Sequence, residues 1–268
     1  SFSNAKYSAM RERSVGLGVM GLHSFFQQKN IPFGSVMSKV WNQKIFKHIQ
    51  EKADQASVKL AEERGSCPDA EEYGIKERFS NKTAIAPTAS ISVICGGASP
   101  GIEPIAANSY THKTLSGSFN VRNKYLAKIL EKHNKNDDET WSSITTNQGS
   151  VSHLDFLTDI EKDTFKTAFE IDQRWIVELG ADRTPNISQA QSINVFVPAD
   201  IHKKDLHQIH FQAWKKGLKS LYYCRSKSIQ RAENVNTGSS TDVTKNVYKA
   251  KEESTNEENK YEECLSCQ

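Results

Sequence analysis

The sequence predicts an α/β fold. Apolar residues recur at three- and four-residue spacing over several long stretches, short β-branched or aromatic runs lie singly between them, and no internal repeat is present. Helices alternating with single strands argue for a layered or barrel architecture rather than a bundle. The 268 residues suffice for one large α/β domain or two modest ones with a substantial core.

In chain order, GLGVMGLH at 16–23 places glycines at 16, 18 and 21, a literal G-x-G-x-x-G. A dinucleotide site needs a strand before it and an acidic residue about 20 positions on. The preceding NAKYSAMRERS is too polar for a buried strand, and VMSKVW at 36–41 has no carboxylate, so the glycines serve another purpose. The spacing then predicts a long helix over 35–65, with Val36, Val40, Trp41, Ile45, Ile49, Ala53, Ala56 and Leu60 inward. Ser35 or Ser38 is its N-cap and Gly65 its left-handed end. Strands are expected at 83–86 (TAIA) and 91–95 (ISVIC), and a short helix at 123–132. A helix over 159–179 turns Phe165, Phe169, Trp175, Ile176 and Leu179 inward; a strand follows at 193–197 (INVFV). A helix over 204–219 carries Leu206, Ile209, Trp214 and Leu218, leading to a strand at 220–224 (SLYYC). Beyond Ile229 large apolar residues almost vanish, so the body spans 1–229 and 230–268 is a flexible tail unable to offset the entropy of ordering.

Charge and composition exclude some partners. The net charge is +3, with five Lys or Arg against eight Asp or Glu from Arg231 onward, which leaves the body at +6. That suits an anionic substrate but is too weak, and too poor in clustered Lys and Arg, for nucleic-acid binding. No apolar run approaches the roughly 18 to 20 residues of a membrane span. Five cysteines without even spacing favour a reducing cytoplasm over a disulfide framework.

Three stretches carry chemistry. In AIAPTASISVICGGASPGIEP (84–104), Pro87 fixes one φ while Thr88, Ala89 and Ser90 are small enough for backbone amides to face outward. This is either an anion-binding nest or an ordinary turn between strands. In LYYCRS, Tyr222 and Tyr223 would point to opposite faces of a strand. They are packing aromatics or a one-electron pair, since a phenol can lose a proton and an electron together; Cys224 beside them is expected to be a small buried residue. Cys264 and Cys267 at the tail's tip are half a zinc site, a redox dithiol or incidental. Zinc would need further ligands, and none lies near in sequence, so no metal site is expected.

Together, G-x-G-x-x-G-L, NKTAIAPTAS, PGIEP, THKTLSGSF, SINVFV, GLKSLYY and a terminal Cys-x-x-Cys resemble, in order, the C-terminal part of the class I ribonucleotide reductase large subunit of phage and bacterial type. The resemblance implies the C-terminal half of a ten-stranded α/β barrel, with the glycines where barrel backbone packs closely. It implies that Pro87, Thr88, Ala89, Ser90 and Ile91 hold the diphosphate of a ribonucleoside diphosphate. Tyr222 and Tyr223 would relay a radical from a small subunit whose diiron centre and tyrosyl radical generate it, with no cofactor held by this chain. Cys264 and Cys267 would re-reduce the active-site disulfide and be reduced in turn by thioredoxin or glutaredoxin. The family's Asn-x-Cys-x-Glu finger loop is absent, and Cys67, Cys95 and Cys224 match neither it nor the reducing pair. Activity in deoxyribonucleotide synthesis would therefore need the N-terminal part of the subunit. Ser1 falls partway through a family segment, so the chain reads as an excerpt or as one half of a split subunit. The alternative is a non-catalytic remnant, a binding module for the small subunit or thioredoxin.

Overall fold

The structure, a computed structural model, describes residues 2–114 and 117–226. The tail at 230–268, with the boundary expected before it, lies outside the described residues.

The helices are α1 (Ser3–Glu12), α2 (Leu22–Gln28), α3 (Val36–Arg64), α4 (Pro68–Glu72), α5 (Ala89–Ile94), α6 (Lys124–Lys132), α7 (Asp138–Thr146), α8 (Asp159–Thr164), α9 (Gln173–Arg183) and α10 (Lys203–Lys215). The strands are β1 (Ser109–Thr114) and β2 (Gly117–Arg122), an antiparallel hairpin, and β3 (Val195–Val197) and β4 (Cys224–Ser226), a parallel pair.

Two isolated parallel bridges extend the β3–β4 pair. Leu17 pairs with Thr83 and Ile85 with Gln191. Leu17 N–H donates to the Lys82 carbonyl at 2.9 Å, Ile85 N–H to Ala190 at 3.1 Å, and Tyr222 N–H to Ile193 at 2.8 Å. Four extended segments therefore lie side by side in chain order, near 17, 84, 193 and 224, each separated from the next by helices. Parallel neighbours need such crossovers. Because the order never reverses, the segments form a continuous arc with no topological switch point of the doubly wound kind. Among the described residues neither outer edge of the arc has a partner strand.

The glycines at the start of the chain serve this arc. A Cβ on Gly18 would sit 2.6 Å from the Ala84 carbonyl oxygen, so only glycine admits the first rung at that separation. Gly21 takes φ +82 as the N-cap of α2, a left-handed conformation that costs glycine little.

The main core lies between the arc and helices α2, α3 and α9, where Phe26, Phe33, Phe46, Ile85, Leu179 and Ile193 are buried. A second cluster, around Leu126, Leu130, Trp141, Ile144 and Phe165, holds α6 and α7 against the segment entering α9. A third joins α9, β3 and α10 through Val177, Val195, Val197 and Ile209.

Several expected elements differ in detail. The helix over 35–65 forms, with Ser35 and Ser38 in a reciprocal capping box. Its buried line is Ser38, Asn42, Phe46, Ser57 and Ala61, so Val36 and Val40 face outward. The polar members are there for their partners: Asn42 Nδ2 donates to the Leu179 carbonyl, and Ser57 Oγ accepts from the Arg78 and Phe79 N–H groups. The helix over 159–179 is two helices. Asp172 caps α9 by accepting from Arg174 N–H, and between α8 and α9 the chain turns to bond Ala168 N–H to the Ile105 carbonyl. The strand at 91–95 is instead the helix α5. Thr88 at φ +53 turns the chain, Ser92 N–H bonds the Thr88 carbonyl at 2.9 Å, and Ile91, Val93 and Ile94 stay exposed. On α10, Ile209 and Ala213 are buried whereas Trp214 is exposed. The last strand begins at Cys224, whose side chain is exposed rather than buried.

Candidate active site at the ends of the arc

The turn at 87–91 follows the second segment of the arc directly. Thr88 Oγ1 accepts the Gly101 N–H at 2.8 Å, which folds the loop 95–104 back over the turn. A Cβ on Gly101 would lie 3.0 Å from the Ala86 carbonyl, so this return also depends on a missing side chain. Ser99 and Ser24 exchange two hydrogen bonds, Ser24 N–H to Ser99 Oγ and Ser99 N–H to Ser24 Oγ, and so pin the loop to α2. Pro87, Thr88 and Ala89 are half-buried, while Ser90 and Ile91 are exposed at the opening of α5. The first N–H groups of any helix have no partner within it.

Tyr222 and Tyr223 precede β4, where the chain joins the arc's last rung. Their ring centroids are 4.0 Å apart with planes inclined at 47°, and each residue is about two-fifths exposed, 43% and 41%. The expectation that they point to opposite faces fails, because the pair lies before the regular strand and the two rings turn toward each other. Arg225 places its guanidinium carbon 5.8 Å from the Tyr223 ring centroid.

A cleft of about 570 Å³ opens between the turn, the loop after it and the ends of β3 and β4. Pro87 and Ala89 line one side, Glu103 and Asn194 its floor, and Arg225 and Arg122 bring positive charge to it. Asn194 Nδ2 donates to Glu103 Oε1 at 2.5 Å, and Tyr223 N–H donates to Asn194 Oδ1 at 2.9 Å. Burial pushes the Glu103 carboxyl up to about 7, with Arg225 pulling the other way. The cleft's far wall is held by an amide chain. Asn123 Oδ1 caps α6, which commits its Nδ2 to the oxygens of Gln27 and Asn108 at 3.1 and 2.8 Å.

Pro87 and Ala89 of the predicted turn line the cleft, whereas Tyr222 and Tyr223 are not among its lining residues and reach it through the Tyr223 N–H on Asn194. Cys264 and Cys267 lie outside the described residues. Cys67 is buried at the start of α4, and Cys95 is exposed where α5 ends. Among the described residues no three His, Cys, Asp or Glu side chains are grouped to hold a metal ion, and no helix is long and apolar enough to cross a membrane. Glu103, Asn194 and Arg225 were not singled out from the sequence. A carboxylate inside GIEPI and an amide inside INVFV were the available signals, each a polar residue in an apolar run.

An arc of parallel segments in chain order, with crossover helices and a cleft at their ends, has the layout of part of an α/β barrel. The comparisons make the class specific. Residues 1–77 and 69–224 match the family model "Ribonucleotide reductase, barrel domain", and the chain belongs to that family. It is 47% identical over 241 residues to the ribonucleoside-diphosphate reductase large subunit of Invertebrate iridescent virus 6, covering 88% of this chain and 25% of that protein. With the large subunit of Invertebrate iridescent virus 3 it shares 42% identity, covering 90% of this chain and 38% of the relative. Among solved structures, the Actinobacillus ureae class Id ribonucleotide reductase alpha subunit superposes with a TM-score of 0.77 at 40% identity, over 83% of this chain and 40% of that one. The chain therefore spans between a quarter and two-fifths of these relatives.

Proposed function

We propose that the chain forms one arc of the catalytic barrel in the large subunit of a ribonucleoside-diphosphate reductase, converting ribonucleotides to deoxyribonucleotides in a reducing cytoplasm. The observation that carries this reading is the cleft that Pro87 and Ala89 of the turn share with Glu103 and Asn194, whose amide oxygen accepts the Tyr223 N–H. Thr88, Ala89, Ser90 and Ile91, following Pro87, would receive the substrate's diphosphate on the free N–H groups that open α5 and on the Ser90 hydroxyl.

Each tyrosine would give up one proton and one electron together, pass through a neutral phenoxyl, and recover both when the next group along is oxidised. The oxidising equivalent is supplied by a small subunit carrying a diiron centre and tyrosyl radical. Rings 4.0 Å apart make the step between the two phenols short, and their partial exposure leaves them within reach of a partner. The electron hole would end on a cysteine of the N-terminal part of the large subunit, whose strands would pair with the open edges of the arc. Cys264 and Cys267 would then reduce the disulfide formed in turnover and pass the oxidation to thioredoxin or glutaredoxin.

The test is reconstitution of the chain with an N-terminal portion and a small subunit, scored by conversion of CDP to dCDP. Turnover is expected in the assembled enzyme and is lost in Tyr222→Phe with assembly unchanged. No reduction with competent partners would reject the enzyme reading. Full turnover in Tyr222→Phe would reject the relay and leave a binding module.

A further inference from the structure

The Asn194 amide has two ends, and both are committed. Its oxygen takes the Tyr223 N–H and its nitrogen gives to Glu103. Asn194 is 1% exposed and Glu103 7%, so bulk water does not compete for either. A reversed amide would set its NH2 against the Tyr223 N–H, donor against donor, and its oxygen against a carboxylate. Glu103 therefore fixes which way round Asn194 sits, and Asn194 fixes where the Tyr223 backbone sits. Glu103 is itself held by the loop anchored at Thr88, through Gly101 N–H to Thr88 Oγ1 and its own N–H to the Pro100 carbonyl.

A second path runs through charge. Arg225 lines the same cleft as Glu103, is the cation that acts on it, and stands over the Tyr223 ring. The other charged or titratable groups facing this cleft are Arg122 from β2, engaged with Asp138, and Tyr110 from β1, whose phenol burial pushes up.

We propose that Glu103 is a positioning residue for the tyrosine pair, acting through Asn194 on the Tyr223 backbone and through Arg225 on the Tyr223 ring. This deepens, and rests on, the reading of Tyr222 and Tyr223 as a radical relay. With its carboxyl near 7, Glu103 changes charge across the neutral range. Ionised, it accepts from Asn194 and attracts Arg225. Protonated, it keeps an acceptor oxygen but loses its hold on the guanidinium.

The experiment uses the reconstituted enzyme and CDP reduction between pH 6 and 8.5. Glu103→Gln keeps the shape and an acceptor oxygen and removes the charge. Glu103→Leu removes both. The ratio of wild-type kcat to that of Glu103→Gln is expected to be near one at pH 6 and to rise to about three-fold above pH 8, the weight of one cation–ring contact. Glu103→Leu should lose about ten-fold in kcat, the weight of one charge-assisted hydrogen bond. KM for CDP should stay within about two-fold in both.

A constant ratio across the pH range, or an effect on KM with kcat unchanged, overturns the proposal. If Glu103→Leu does not fold, the Glu103→Gln ratio decides alone. Tyr222→Phe, measured in parallel, separates the two layers. Retained turnover there removes the relay itself, whereas lost turnover together with a flat Glu103→Gln ratio removes only the role of Glu103.

Discussion

His23 makes the fold sensitive to mild acid. It lies on α2 with its ring fully buried, edge-on to Phe33 at a centroid distance of 5.4 Å. The Ile105 N–H donates to its Nδ1 at 3.0 Å, and a backbone N–H can only donate, so Nδ1 must be unprotonated. Burial pushes the imidazole down to about 3, with the Thr164 backbone opposing in part. An unfolded chain would protonate the same ring near 6.5. Between these values the unfolded state binds the extra proton, so stability falls as pH falls below about 6.5 and levels off only near 3. At about 1.4 kcal/mol per pH unit, the loss at pH 5 is roughly 2 kcal/mol. That is a large share of the roughly 5 to 15 kcal/mol that holds a typical domain. The assay is urea unfolding at pH 5, 6, 7 and 8 on the wild type and on His23→Leu. The variant leaves the Ile105 N–H without an acceptor, a cost of about 1 to 3 kcal/mol that does not vary with pH. Wild type and variant should therefore converge by about 2 kcal/mol between pH 7.5 and 5. Parallel curves would refute the reasoning, as would an imidazole NMR titration in the folded protein centred near 6.5.

Two further outcomes follow from the same geometry and reading. Gly18→Ala sets a methyl group 2.6 Å from the Ala84 carbonyl oxygen; thermal unfolding should show a loss of about 2 kcal/mol, and hydrogen exchange should show the Leu17–Lys82 bond opening first. Cys264→Ser in the reconstituted enzyme should stop turnover driven by thioredoxin while sparing turnover driven by a small dithiol, and equal loss with both reductants would show that the tail cysteines do more than carry electrons in.

What was legible in the sequence divides along a physical line. The helices at 36–64, 124–132 and 203–215 and the strand at 195–197 were readable because apolar periodicity or a β-branched run reports their burial directly. The buried line of α3 was misplaced because Ser38, Asn42 and Ser57 are polar, and periodicity cannot see a side chain buried for its hydrogen bonds. The segment 91–95 misled because Ile91, Val93 and Ile94 have strand propensity, while a left-handed Thr88 and local hydrogen bonds impose a helical turn. The break before α9 is a tertiary effect, set by the Ala168 bond to Ile105 as well as by the Asp172 cap.

The site divides in the same way. Pro87 to Ser90 stood out as a small-residue turn carrying two hydroxyls, and the two tyrosines because a strand would send neighbouring rings to opposite faces; Ile91 entered only through the resemblance. Glu103 and Asn194 did not stand out, since their meaning is a contact between positions 91 residues apart. Yet each broke a local rule by placing a polar group inside an apolar run, and a buried polar group must find a partner. A carboxylate can only accept, and an amide can both give and take. In the structure the amide gives to the carboxylate and keeps its oxygen for a third group. That third group is the backbone of Tyr223, so the polar pair that periodicity overlooked ties the Tyr223 backbone to the loop folded over the turn.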